Sequence, residues 1–128
     1  MSTKRAIGLG GIFFKCADPV ALREWYKIHL GFNTDDYGTT FEWRNSDPEQ
    51  KGYNVWSPFK KDTTYFQPSE KEFMINLRVD DLEWLLEQLK NEGIPQIGEM
   101  QAYEYGKFAY IMDPEGTKIE LWEPNDTN

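Results

Sequence analysis

Two stretches of this chain echo two others, and an internal repeat restricts the available folds more than overall composition does. Asp18 opens one helical pattern, and Asp81 opens another 63 positions later. The segment "NVWSP", Asn54 to Pro58, has a counterpart in "ELWEP", Glu120 to Pro124, 66 positions on. Either match alone could arise by chance. Both in the same order point to two related modules, about 5–58 and about 73–124, within a single domain spanning 1–128 and joined by a polar, proline-containing linker at about 59–72.

The local patterns fill in the modules. "IGLGGIFFKC" reads as a strand and "DPVALREWYKIHLGF" as a helix, with Asp18 as cap, Pro19 at the first helical position and Gly31 at the end. "TTFEWR" and "YNVWSPF" read as paired strands around the loop "NSDPEQKG", with a further short strand near Phe32 to Asp36. The second half runs the same way. "FMINLRV" alternates as a strand, "DDLEWLLEQLKNEG" places Leu82, Leu85, Leu86 and Leu89 on one helical face, and strands follow near Gln96 to Met100, Lys107 to Met112 and Thr117 to Trp122.

Composition removes several function classes. At 128 residues the chain suits one domain with a full core and needs no disulfide or metal staple. Its one cysteine, Cys16, forms no internal bridge, which predicts a reducing, cytoplasmic setting. "MSTKRAIGLGG" lacks the apolar run of a signal peptide, and no segment reaches the length of a membrane span, so a soluble protein is expected. A net charge of −8 repels phosphate backbones and anionic membranes, so neither nucleic acid nor a membrane is an expected partner. Aromatic content of 16%, with five tryptophans, exceeds what a core of this size usually needs, and each tryptophan reads either as part of an aromatic-lined binding surface or as part of an aromatic core.

"DPVALREWYKIHLGF", "FMINLRVDDLEWLLEQLKNEG" and "FAYIMDPEGTKIELWEP" together resemble the vicinal oxygen chelate superfamily, which includes glyoxalase I, bleomycin-resistance proteins and extradiol dioxygenases. The resemblance covers nearly the whole chain. It implies an α+β fold of two βαβββ modules whose curled mixed sheets form a cup, with a helix on the other face of each. It implies a fold more firmly than a reaction.

Alternation then assigns sides within that fold. Ile12, Phe14 and Cys16 are expected under the first helix, leaving Gly11, Phe13 and Lys15 for the cup; Ile75, Leu77 and Val79 are expected under the second, leaving Met74, Asn76 and Arg78. Asn54 with Trp56, and Glu120 with Trp122, are expected to close the cup, with Trp43 and Tyr110 as further aromatic walls. Carried over from metal-dependent relatives, the four ligand positions are Gly11, Asn54, Met74 and Glu120. Only Glu120 is a good ligand for a hard divalent ion, so no metal and no other cofactor is expected.

Other catalytic groups have simpler readings. His29 falls in the last turn of the first helix, a capping position, and Cys16 reads as a small core residue. The leading expectation is a metal-independent protein binding a small aromatic or amphipathic molecule, with Arg78 or Lys15 meeting an anionic group and Glu120 a donor. Glu120 and Arg78 could instead pair with each other. Two alternatives stand beside it: a glyoxalase-like lyase or isomerase with Glu120 as the catalytic group, and a regulatory or interaction module with a vestigial cup. "PFKKDTTYFQPSEKE" reads either as a lid over the cup or as a plain linker, and open sheet edges with exposed aromatics predict a homodimer.

Overall fold

The computed structural model describes residues 5–45 and 47–125. Met1 to Lys4, part of the expected leaderless terminus, and Ser46, in the expected hairpin loop, lie outside them. The elements run β1 (Ala6–Cys16), α1 (Pro19–Leu30), β2 (Thr34–Asp35), β3 (Gly38–Glu42), one 3-10 turn (Trp43–Asn45), β4 (Tyr53–Lys60), β5 (Phe73–Val79), α2 (Leu82–Asn91), β6 (Ile97–Tyr103), β7 (Gly106–Met112) and β8 (Lys118–Pro124). The expected pattern of two strand, helix, strand, strand, strand units is therefore present.

Both helices begin by the same device. The Asp18 carboxylate accepts from the Ala21 amide at 3.0 Å, and Asp81 accepts from the Trp84 amide at 3.1 Å, each satisfying a donor that the first helical turn leaves free. Gly31 ends α1 at φ 72°, a left-handed conformation that glycine enters without a Cβ clash.

The strands form one open eight-stranded mixed sheet in the order β2-β3-β4-β1-β5-β8-β7-β6. The two modules meet edge to edge where β1 pairs antiparallel with β5. Within each module the first and last strands pair in parallel, with Phe13 opposite Ser57 in one and Asn76 opposite Glu120 in the other. Those two pairs are related by the same 63 positions that separate the capping aspartates.

The constancy of that offset corrects one reading. "NVWSP" and "ELWEP" are 66 positions apart, three residues out of the structural register. Three is odd, and side chains alternate faces, so the sequence match pairs residues from opposite sides of their strands. Ser57, rather than Asn54, is the first-module counterpart of Glu120.

The main aliphatic core lies between α2 and the sheet. Val79, Leu82, Leu85, Ala109 and Leu121 are buried there, with Leu77, Leu86, Leu89, Ile111 and Ile119 packed around them. The corresponding layer in the first module is aromatic. Trp56 lies 4.5 Å from Tyr26 of α1, 5.1 Å from Phe32 and 5.6 Å from Phe14, measured between ring centroids. Trp56 therefore packs beneath α1 and does not line the cup, contrary to the expectation from the sequence.

Candidate functional site

The face opposite the helices is where the cup is expected; the sheet is open rather than curled into two cups, and the best-defined cluster on that face is built on β5 and β8. Alternation along β5 sends Met74, Asn76 and Arg78 to this side, and all three are buried. Along β8 it sends Lys118, Glu120 and Trp122 the same way, also buried. A β1 bulge makes room between the modules: a Cβ on Gly10 would lie 1.8 Å from Asn76 Oδ1 and 2.9 Å from Trp122 Cε3. Only a residue without a side chain fits beneath that pair.

Glu120 is 2% exposed, so its carboxylate must be satisfied by protein donors. Asn76 Nδ2 donates to Oε1 at 2.5 Å, and the Tyr65 hydroxyl donates to Oε2. With the Tyr65 proton committed to Glu120, the 2.6 Å contact between the Tyr65 and Tyr110 hydroxyls has Tyr110 as donor. Burial, and then the Glu120 charge, hold both phenols well above the ordinary tyrosine range. Nearby, Lys118 Nζ donates to the Tyr65 carbonyl at 2.6 Å and lies 4.4 Å from the centre of the Tyr110 ring. Desolvation lowers the Lys118 pKa, and the Glu120 charge partly opposes it.

Tyr65 belongs to the connection between the modules, which forms a strap over the site. Its ring lies parallel to Phe59 at 5.6 Å and edge-on to Tyr110 at 5.9 Å. Phe66, fully buried, packs on Phe59 at 5.1 Å and under Lys15, whose Nζ is 5.8 Å from its ring centre. Further along, the Ser69 hydroxyl donates to the Gly116 carbonyl at 2.5 Å and ties the strap to the turn before β8. The segment thus packs over Glu120 while it also joins the two modules.

The remaining predicted residues divide into groups. Phe13 joins the aromatic wall through Phe59 at 5.4 Å. Arg78 is held between the Trp43 and Trp122 rings, 4.3 and 5.1 Å from their centres, and donates to the Tyr53 carbonyl at 2.9 Å. Asn54 shares the Trp56 side of β4. Its amide donates to the Leu9 carbonyl at 2.5 Å and accepts from Trp43 Nε1 at 2.7 Å, so it buttresses Trp43 rather than joining Glu120. In its place stands Ser57, whose hydroxyl donates to the Tyr37 carbonyl. Cys16, half-buried, lies under α1, where burial raises its thiol pKa, and exposed His29 packs against Trp25 at 4.9 Å. Tyr53 and Phe59 escape sequence reasoning, which puts Asn54 and Trp56 on that face of β4. Tyr65 and Phe66 stand at the middle of the segment expected as a lid or a linker, but no periodic signal gives either of them a role in the site.

The superfamily resemblance raises the question of a divalent metal. Around Glu120 the donors are one amide and two phenols, and the corresponding first-module positions are Phe13 and Ser57. Among the described residues no group of three His, Cys, Asp or Glu side chains could hold a cation. A single carboxylate in this company does not fit a hard divalent ion, which requires several anionic or carbonyl oxygens.

Comparison with known proteins matches the described architecture. A family model described as a glyoxalase-like domain matches residues 11–122. A Streptomyces coelicolor methylmalonyl-CoA epimerase in complex with 2-nitronate-propionyl-CoA superposes with TM-score 0.69 at 13% identity, covering 94% of this chain and 96% of that one. A methylmalonyl-CoA epimerase from Mycobacterium tuberculosis gives 0.63 at 21% identity, with coverages of 99% and 94%. A structure described as an NAD-dependent benzaldehyde dehydrogenase from Legionella pneumophila gives 0.57 at 13% identity, with coverages of 90% and 98%. At these identities the likeness is one of fold. A search of curated proteins finds no match to the sequence.

Proposed function

The chain belongs to the glyoxalase-like domain family, and on that footing we propose that it is a metal-independent binding protein for a small aromatic or amphipathic molecule. One observation carries this reading. The ring of Tyr65 lies on Phe59 with its hydroxyl on Glu120, so the cup accommodates a flat ring with a polar end. The strap supplies that ring from within the chain, and a ligand gains access by displacing it. Thermal shift across a broad panel of aromatic compounds tests the proposal. A concentration-dependent rise in Tm with at least one compound is expected, and a flat response across the panel overturns it.

A second reading, a metal-free lyase or isomerase with Glu120 as base, draws support from a buried carboxylate within reach of two phenols. The structurally similar epimerases make carbon acids the first substrates to try. Incorporation of solvent deuterium into a carbon acid in the presence of the protein, lost in Glu120→Gln, favours this reading. Stoichiometric Mn, Fe, Ni or Zn, lost in Glu120→Ala, overturns the metal-independent assignment for both readings.

Exposed Val20, Trp25, Ile28 and Leu30 on α1, with Ile7, Leu9 and Ile12 on β1, support a homodimer, which light scattering on the eluting protein tests. The single thiol supports a cytoplasmic location. No helix among the described residues is long and apolar enough to cross a membrane.

A further inference from the structure

The strap holds Tyr65 as a bound ligand is held. Four features of its environment specify a ligand chemistry. Both Glu120 oxygens accept hydrogen bonds, so whatever replaces the Tyr65 hydroxyl must be a donor. Tyr110 donates to the phenol oxygen, so the same atom must also accept. Phe59 offers a parallel ring face at 5.6 Å, which calls for an aryl group between the polar ends. Lys118 donates to the Tyr65 carbonyl at 2.6 Å, and an acidic oxygen in that place would gain a charge-assisted bond.

These requirements coincide in one skeleton. From phenol oxygen to backbone carbonyl, residue 65 is a para-hydroxyphenylpropanoyl unit. We propose that the ligand of this cup is a para-hydroxyphenyl compound with a carboxylate or carbonyl two carbons from its ring, bound in place of Tyr65. The proposal rests on the small-molecule reading above and specifies its ligand.

The strap is built for such an exchange. Tyr65 is 37% exposed whereas Phe66 is 0% exposed, and Ser69 tethers the strap to Gly116. For the carbonyl to release Lys118 as well as the ring to leave Phe59, the backbone around residue 65 must swing out with it, and the Ser69 tether to Gly116 is the fixed end of that movement, so the exchange does not require the whole connection to unfold. The internal phenol competes with the ligand, and apparent affinity falls with the fraction of molecules in which it has swung out. A purely apolar aryl acid is disfavoured because it would strip the Tyr65 hydroxyl from Glu120 and return no donor.

Calorimetric titration with para-hydroxyphenylpropanoate and with phenylpropanoate tests the proposal on the wild type, Tyr65→Ala, Tyr65→Phe and Glu120→Ala. Tyr65→Phe keeps the ring packing and guards against failure of the alanine variant to fold. The hydroxylated probe is expected to bind both Tyr65 variants about tenfold more tightly than wild type, and about tenfold more tightly than phenylpropanoate does. That preference should vanish in Glu120→Ala. Equal affinity for the two probes in the Tyr65 variants, or no gain over wild type, overturns the proposal. If other aromatic compounds still raise Tm, the small-molecule reading survives that result; if neither they nor these probes bind any variant, both fall.

Discussion

Helices α1 and α2 begin with the same aspartate cap and follow equivalent strands, yet they carry opposite burdens. Leu82 and Leu85 of α2 are buried, whereas α1 has no buried residue and leaves Val20, Trp25, Ile28 and Leu30 largely in solvent. The cup face differs in parallel. Where the second module sets Glu120 beside Asn76, the first sets Ser57 beside Phe13. The backbone plan has been repeated without its energetics or chemistry. The buried aliphatic core lies under α2 and the buried polar cluster above β5 and β8, while the first module supplies aromatic wall.

The largest test of that asymmetry is truncation of the two helices. Leu82→Ala, at a site with no exposure, should cost about 3 kcal/mol in urea denaturation because it leaves a cavity in the aliphatic core. Ile28→Ala, 65% exposed on α1, should cost less than about 0.5 kcal/mol. Similar losses at both sites would mean that the first module is as tightly cored as the second.

A smaller contrast separates the equivalent cup positions. Glu120→Ala deprives the Asn76 amide and the Tyr65 hydroxyl of their shared acceptor and should cost about 2 kcal/mol, whereas Ser57→Ala removes one hydroxyl bond and should cost about 1 kcal/mol. Denaturation midpoints of the two variants rank them. Equal effects would show that Glu120 is no more deeply integrated than its counterpart.

The smallest expected effect is a pH slope belonging to the second module and the strap seated on it. Tyr65 and Tyr110 have raised pKa values in the folded chain, so the stability they contribute is fully present below the unfolded tyrosine value of about 10 and is lost as pH rises beyond it. Lys118 is shifted downward, and the unfolded chain binds its proton more firmly, so its deprotonation favours the fold as pH approaches about 10.4. Two tyrosines against one lysine leave a net loss above about pH 10. Denaturation midpoints between about pH 8 and 11 should show that decline, and Tyr65→Phe should shallow it. An unchanged slope in the variant would place the titrating groups elsewhere.

Much of this was legible without coordinates. Asp18 and Asp81 announce the helix starts because capping depends on a side chain and an amide three residues apart. The inward set on β5 and β8 follows from alternation, since Met74, Asn76, Arg78, Lys118, Glu120 and Trp122 each stand one residue from a helix-facing apolar side chain. The same rule failed on β4. Alternation is local, but its phase has to be anchored, and the "NVWSP" match anchored it one face out.

The tertiary structure decided what local pattern cannot carry. The side presented by Asn54 and Trp56 depends on which β1 residue lies opposite, a pairing of positions more than forty residues apart. The placement of Tyr65 depends on Phe59, Tyr110, Lys118 and Glu120 together, and no period in "KKDTTYFQP" records them. Helix caps and strand alternation are written in neighbouring residues, so a sequence displays them directly. Register between distant strands and the seating of a strap arise only when remote side chains compete for the same buried acceptors and ring faces.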